Sequence, residues 1–139
     1  MSRMPKRVKH RKVHRGRIRG AATRGNFVAF GEYGLVAMQS GWITARQIEA
    51  GRIAGNHFLR GEGKIRIRIF PDKPITSKPA ETRMGKGKGD VDYWCAVIRP
   101  GQVIYEIQGA SEASARIALN RIAHKMPLRV RMVSRRPKV

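Results

Sequence analysis

The most regular pattern in the chain is residues 64–70, Lys-Ile-Arg-Ile-Arg-Ile-Phe, where isoleucines alternate with cations. A period of two sends alternate side chains to opposite faces of a strand. The isoleucines therefore face a core, and Lys64, Arg66 and Arg68 form a basic stripe open to solvent or phosphate. A similar alternation of Leu128, Val130 and Met132 with Arg129 and Arg131 predicts a last strand over residues 128–133. Residues 93–98 and 102–107 are apolar runs separated by Arg99-Pro100-Gly101, which predicts two strands joined as a hairpin. Phe27, Val28 and Phe30, then residues 33–38, predict two short strands around Gly31-Glu32, with core packing the default place for their rings and stacking on bases the alternative.

Two stretches repeat instead at three and four. Beyond Trp42 and Ile43, Thr44 with Gln47 three residues on is a capping-box signature, and the helix predicted over residues 45–59 lines up Ala45, Ile48, Gly51, Arg52, Gly55 and Leu59. Each glycine costs a helix about 1 kcal/mol relative to alanine, so the pair implies close approach by the sheet or by an RNA backbone. Gly61-Glu62-Gly63 turns the chain. Ser111 caps a second helix, on which Ala115, Ala118, Leu119, Ile122, Ala123 and Met126 share a face, and Pro127 stops it. The expected fold is α/β of the α+β kind: two helices packed on a mainly antiparallel sheet.

Residues 71–89 break both periods. Prolines and glycines through this run disfavour a regular helix or central strand, and connections of this length in small domains are mostly functional or disordered. The segment reads as a long loop whose tip carries Arg83, Met84, Gly85, Lys86, Gly87, Lys88 and Gly89, where glycines let a backbone approach a phosphate-rich surface.

Charge adds the partner class. The 139 residues carry 30 Lys and Arg against 9 Asp and Glu, a formal net charge of +21, which calls for a polyanion. Residues 1–24 hold ten cations and no acid, and residues 113–139 hold eight and no acid, so the middle is nearly balanced. The expected organisation is a basic N-terminal arm over residues 1–24, ordering on binding, and one globular RNA-binding domain over residues 25–139 that carries the loop 71–89.

Catalytic chemistry is not indicated. Gly85-Lys86-Gly87-Lys88-Gly89 lacks the order of a nucleotide phosphate loop, and the acids are scattered. His10 and His14 stand four apart but among cations, so phosphate or base contact is favoured over a metal. The single Cys95 excludes an internal disulfide and fits a small core or edge residue. No run is apolar enough to span a bilayer, and the arm lacks the character of a signal or transit peptide. Beside a specific RNA binder stand two rivals, a non-specific nucleic-acid packaging protein and a cationic membrane-active protein.

The arm Pro5-Lys6-Arg7-Val8-Lys9-His10-Arg11-Lys12, the pairs Phe30-Gly31 and Tyr33-Gly34, the helix start at residues 44–50, the run Phe70-Pro71-Asp72-Lys73-Pro74 and the loop Lys78-Pro79-Ala80-Glu81-Thr82-Arg83-Met84-Gly85-Lys86-Gly87-Lys88-Gly89 closely resemble the bacterial large-subunit ribosomal protein sixteen family. The resemblance covers nearly the whole chain. Gly51, Ile53 and Gly55 depart from residues common in that family. It implies a non-catalytic constituent of the large subunit, in the cytoplasm, without cofactor and without self-association, whose partners are 23S rRNA, tRNA and neighbouring ribosomal proteins. A bacterial ribosome is implied before an organellar one. Carried onto this chain, rRNA contacts would come from Lys6, Arg7, Lys9, His10, Arg11, Lys12, Arg15, Arg17, Arg19, Arg46, Arg66, Arg68, Lys73 and Lys78. The tip from Arg83 through Met84, Gly85, Lys86, Gly87 and Lys88 to Gly89 would approach the A site and peptidyl-transferase centre, with Arg83 a possible site of hydroxylation.

Overall fold

The computed structural model describes residues 4–85 and 87–135. Along them run β1 (Tyr33–Ala37), β2 (Gly41–Thr44), α1 (Ala45–Leu59), β3 (Lys64–Ile67), β4 (Lys73–Ser77), β5 (Asp90–Ile98), β6 (Val103–Gln108), α2 (Glu112–Ala123) and β7 (Val130–Ser134). The strands form two sheets, ordered β3-β6-β1-β7 and β2-β5-β4, and every pairing is antiparallel. This is the expected α+β fold, with its strands divided between two sheets.

The hairpin expected from residues 93–107 does not form. β5 is flanked on both sides by β2 and β4, and β6 by β3 and β1, so neither has an edge left for the other. The turn between them is held elsewhere: Gly101 N donates to Ala37 O at 2.7 Å, and Ala37 N donates to Gln102 O at 2.9 Å. Arg99-Pro100-Gly101 therefore carries the chain from one sheet to the other.

Three further elements differ from the pattern. Trp42 and Ile43 lie in β2, which the sequence hides because Thr44 is both its last residue and the cap of α1. Residues 27–30 form no strand, and the amides of Ala29 and Phe30 are engaged instead by a side chain described below. The stretch 71–89 is not one loop: β4 occupies residues 73–77 and pairs with β5, so the connection proper is residues 78–89. Pro74 is tolerated there because β4 lies at the edge of its sheet.

The helices form where the signals place them. Thr44 Oγ1 accepts from Gln47 N at 3.2 Å and Gln47 Oε1 accepts from Thr44 N at 2.9 Å, so both arms of the capping box are made. Ser111 Oγ accepts from Ser114 N at the start of α2, which ends at Ala123, before Pro127 is reached. Ala45, Ile48, Gly51, Gly55 and Leu59 of α1 and Ala115, Ala118, Leu119 and Ile122 of α2 are buried. They meet Leu35, Ile43, Ile98, Tyr105 and Ile107 of the sheets in one core.

The two helix glycines face this core, not an RNA. A Cβ on Gly55 would lie 2.5 Å from Ile65 Cδ1 and 2.8 Å from Ile122 Cδ1, and one on Gly51 would lie 2.5 Å from Tyr105 Oη. That hydroxyl donates to Ile48 O at 2.5 Å, and burial raises its pKa well above the ordinary tyrosine value. Gly51→Ala would gain about 1 kcal/mol of helix propensity but force its methyl into a tethered ring. A net loss of about 1–2 kcal/mol is expected as a lower thermal midpoint. The cost should shrink in a Tyr105→Phe background, and an unchanged midpoint for Gly51→Ala alone would show that α1 shifts freely.

Candidate nucleic-acid interface

An acid in the middle of an apolar strand must find partners, because an unpaired buried charge is very costly. Glu106, only 1% exposed in β6, finds four. Its carboxylate accepts from Ala29 N at 3.0 Å, Phe30 N at 2.7 Å and Gly31 N at 3.1 Å, and it is ion-paired with Arg68. Burial pushes the carboxyl pKa up, but the amides of Ala29 and Phe30 and the Arg68 guanidinium together bring it below the ordinary value. The amides a strand would have used are thus turned onto a carboxylate. The turn lies tight against the sheet, since a Cβ on Gly31 would sit 2.4 Å from Ile107 O.

This arrangement pushes the Phe30 ring outward. It is 50% exposed, with the Arg66 guanidinium 4.5 Å and that of Arg68 5.1 Å from its centroid. Arg66 lies opposite Glu106 and Lys64 opposite Gln108 in the β3–β6 register, so these four residues share the sheet face away from the helices. Of the basic stripe expected over residues 64–70, Lys64 and Arg66 of β3 are exposed. The strand ends at Ile67, and Arg68 beyond it is drawn down onto the buried Glu106, its side chain only 16% exposed. The Phe30 ring, for which core packing was the default, lies outside the core.

Residues 4–32 contain neither helix nor strand, and Lys6, Arg7, Lys9, His10, Arg11, Lys12, Arg15, Arg17 and Arg19 are all exposed along them. Three lysines tie this segment to the β4–β5 hairpin. Lys73 Nζ donates to Arg15 O, Lys88 Nζ to Val13 O, and Lys12 Nζ to Lys88 O. Lys73 also lies over the Trp42 ring, 5.0 Å from its centroid.

In the connection itself, Lys78 Nζ donates to Gly85 O across the loop, and Thr82 N donates to Pro79 O. Gly85 and Gly87 adopt φ of +91° and +93°, which a side chain would resist. Gly89 fits against Ser77 O at the base. Arg83 is exposed and Met84 is 99% exposed, whereas Lys86 lies outside the described residues. Arg46, exposed at the start of α1, lines a separate cavity with Met4, Asp92, Tyr93 and Trp94.

Two features escaped the sequence. Glu106 was visible as a lone acid between apolar neighbours, but its partners are distant in the chain, Arg68 by 38 residues and the three amides by 75 to 77. The second is a shallow groove where Ala50, Ile53, Ala54 and His57 of α1 meet Arg121, His124 and Lys125. Among the described residues no cluster of His, Cys, Asp and Glu could hold a metal, and Cys95 is buried with its thiol pKa raised by that burial.

Fold and surface define a small basic α+β protein with exposed cations along residues 4–32, on a sheet face and in the connection 78–89. The ribosomal protein L16p/L10e family model matches residues 5–133. The large ribosomal subunit protein uL16 of Rhodopirellula baltica is 59% identical over 136 residues, covering 98% of this chain and 99% of its own length. The chain belongs to the L16p/L10e family of ribosomal proteins. It is a structural component of the large ribosomal subunit, located on the cytoplasmic ribosome, and not an enzyme.

The Glu106 site carries a pH signature. Its folded-state pKa lies below the unfolded one, so its stabilisation is complete above the ordinary value of 4.5 and is lost as pH falls from there through the lowered value. Glu106→Gln should lower the unfolding free energy at pH 7 by about 3–5 kcal/mol, since it leaves Arg68 unpaired. Its stability should also fall less steeply than the wild type's on acidification; parallel acid-unfolding curves would count against the assignment.

Proposed function

We propose that this protein binds 23S rRNA through its basic arm and β3 face, and that loop 78–89 reaches toward tRNA at the A site and peptidyl-transferase centre. The observation that carries the reading is the tie between arm and loop: Lys73 and Lys88 on the hairpin bond arm carbonyls, and Lys12 on the arm bonds back. Arm and loop base thereby form one cationic surface. In this reading residues 1–24 act as the arm and residues 25–139 as one globular domain, with neighbouring ribosomal proteins as further partners and no self-association.

Each group has a role set by its chemistry. Exposed arm cations neutralise phosphates without reading sequence, and arginines clamp phosphate oxygens in pairs or stack on bases. Arg46 and Lys78 add single phosphate contacts at the helix start and the loop base. Arg83 and Met84, on a loop whose glycines keep it slender, are the groups offered to tRNA. A packaging protein would need the charge but not a structured loop of this kind.

Engaging about 6–10 phosphates, the protein should lose roughly 10³- to 10⁵-fold in affinity for a cognate rRNA fragment between 50 and 200 mM salt. It should still prefer that fragment to scrambled duplex at the higher salt. Equal affinity for both RNAs would favour the packaging alternative. Arg83→Ala should leave the unfolding free energy within about 0.5 kcal/mol of wild type, as expected for an exposed side chain, while slowing peptide-bond formation or weakening A-site tRNA binding. Normal translation by ribosomes carrying that variant would sink the loop assignment.

A further inference from the structure

We propose that the β3–β6 sheet face holds a stacking site for one unpaired RNA base, with Phe30 as its floor. The site is a cavity of about 360 Å³ at edge strand β3, lined by Phe30, Lys64, Arg66, Glu106 and Gln108 and, from the helix-covered side, by Arg52 of α1. Three observations converge on a nucleotide as its occupant.

The first is the ring. Half-exposed Phe30, in the turn packed against the sheet, has the Arg66 and Arg68 guanidiniums over its ring, so ring and guanidinium planes together form a stacked layer on which a base can continue. The second is preorganisation. Phe30 is fixed at its backbone by Glu106, and so is the Arg68 guanidinium, so little freedom remains to be lost on binding. The third is charge. The nearby acids are already matched, Glu106 by Arg68 and Glu49 by Arg52, which leaves Lys64 and Arg66 exposed at the rim to meet a phosphate. Gln108, exposed at the same rim, can both donate to and accept from a base edge.

An anion alone would need no aromatic floor, and a duplex could not deliver a base, because its bases are already stacked on one another. The fit is to a base in a loop, bulge or single strand. This inference rests on the RNA-binding reading above but concerns a face separate from the arm and the loop.

The test uses the full-length protein with a single-stranded oligoribonucleotide carrying one 5-iodouracil, and the matching blunt duplex. Irradiation should cross-link the single strand to the peptide bearing Phe30. Phe30→Leu should weaken single-strand binding by about 5- to 100-fold with an unchanged salt slope, while Phe30→Tyr, which keeps the ring face, should bind nearly as the wild type does. Thermal unfolding checks that each variant folds. If Phe30→Leu does not fold, the wild-type cross-link decides alone. Absence of that cross-link, or equal binding by wild type and a folded Phe30→Leu, overturns the stacking site. A steep salt dependence of rRNA binding in the same preparations would then leave the broader reading standing, whereas its absence in every variant would remove both.

Discussion

The ion cluster at Glu106 is the constraint on which the cation-bearing sheet face of this protein depends. A carboxylate held away from water is tolerated only when its oxygens are fully bonded. Here that requirement draws three successive amides of the segment before β1 onto β6, together with an arginine from just beyond β3. Local structure follows from it. Residues 29–31 cannot join a ladder, Phe30 turns outward, and Arg68 is held beside it. The surface chemistry of this face is thus a consequence of solving an interior problem.

The opposite side of the four-stranded sheet obeys a steric rule instead. α1 can lie on Tyr105 and between Ile65 and Ile122 only because residues 51 and 55 have no side chain. The helix gives up propensity at two positions and gains a close seat on the core. With α1 and α2 covering one face, the cations of β3 have only the other face to occupy. The same alternation that builds the core therefore concentrates positive charge on the uncovered side.

Local signals made the helices legible. The capping box at Thr44 and Gln47 and the three-and-four spacing in both helices depend on neighbours within a turn. The division into two sheets was not legible, because it turns on which strands saturate the edges of β5 and β6, a matter of distant pairing. Arg99-Pro100-Gly101 has the composition of a hairpin turn, and only its bonds to Ala37 show that it bridges sheets. β4 was hidden by Pro74, which an edge strand accepts, and by the prolines flanking it. Of the candidate site, exposed arm and loop positions could be read from charge and glycine spacing. For Phe30 the sequence offered base stacking only as the alternative to core packing, and what turns the ring out of the core is Glu106, in a strand far along the chain.

Two groups among the described cations differ electrostatically, and the difference bears on how a polyanion would be met. Arg52, Arg68 and Arg116 face carboxylates, so their fields are largely cancelled at short range. Lys12, Lys73 and Lys88 are bonded instead to backbone carbonyls, which carry no net charge. A carbonyl fixes where an ammonium sits without neutralising it. These lysines can therefore anchor the arm to the hairpin and still attract phosphate. In the isolated chain, that anchoring works against mutual repulsion along a strongly basic segment. A bound phosphate backbone would screen the repulsion and leave the hydrogen bonds in place, so the contact between arm and loop base should tighten when RNA is present.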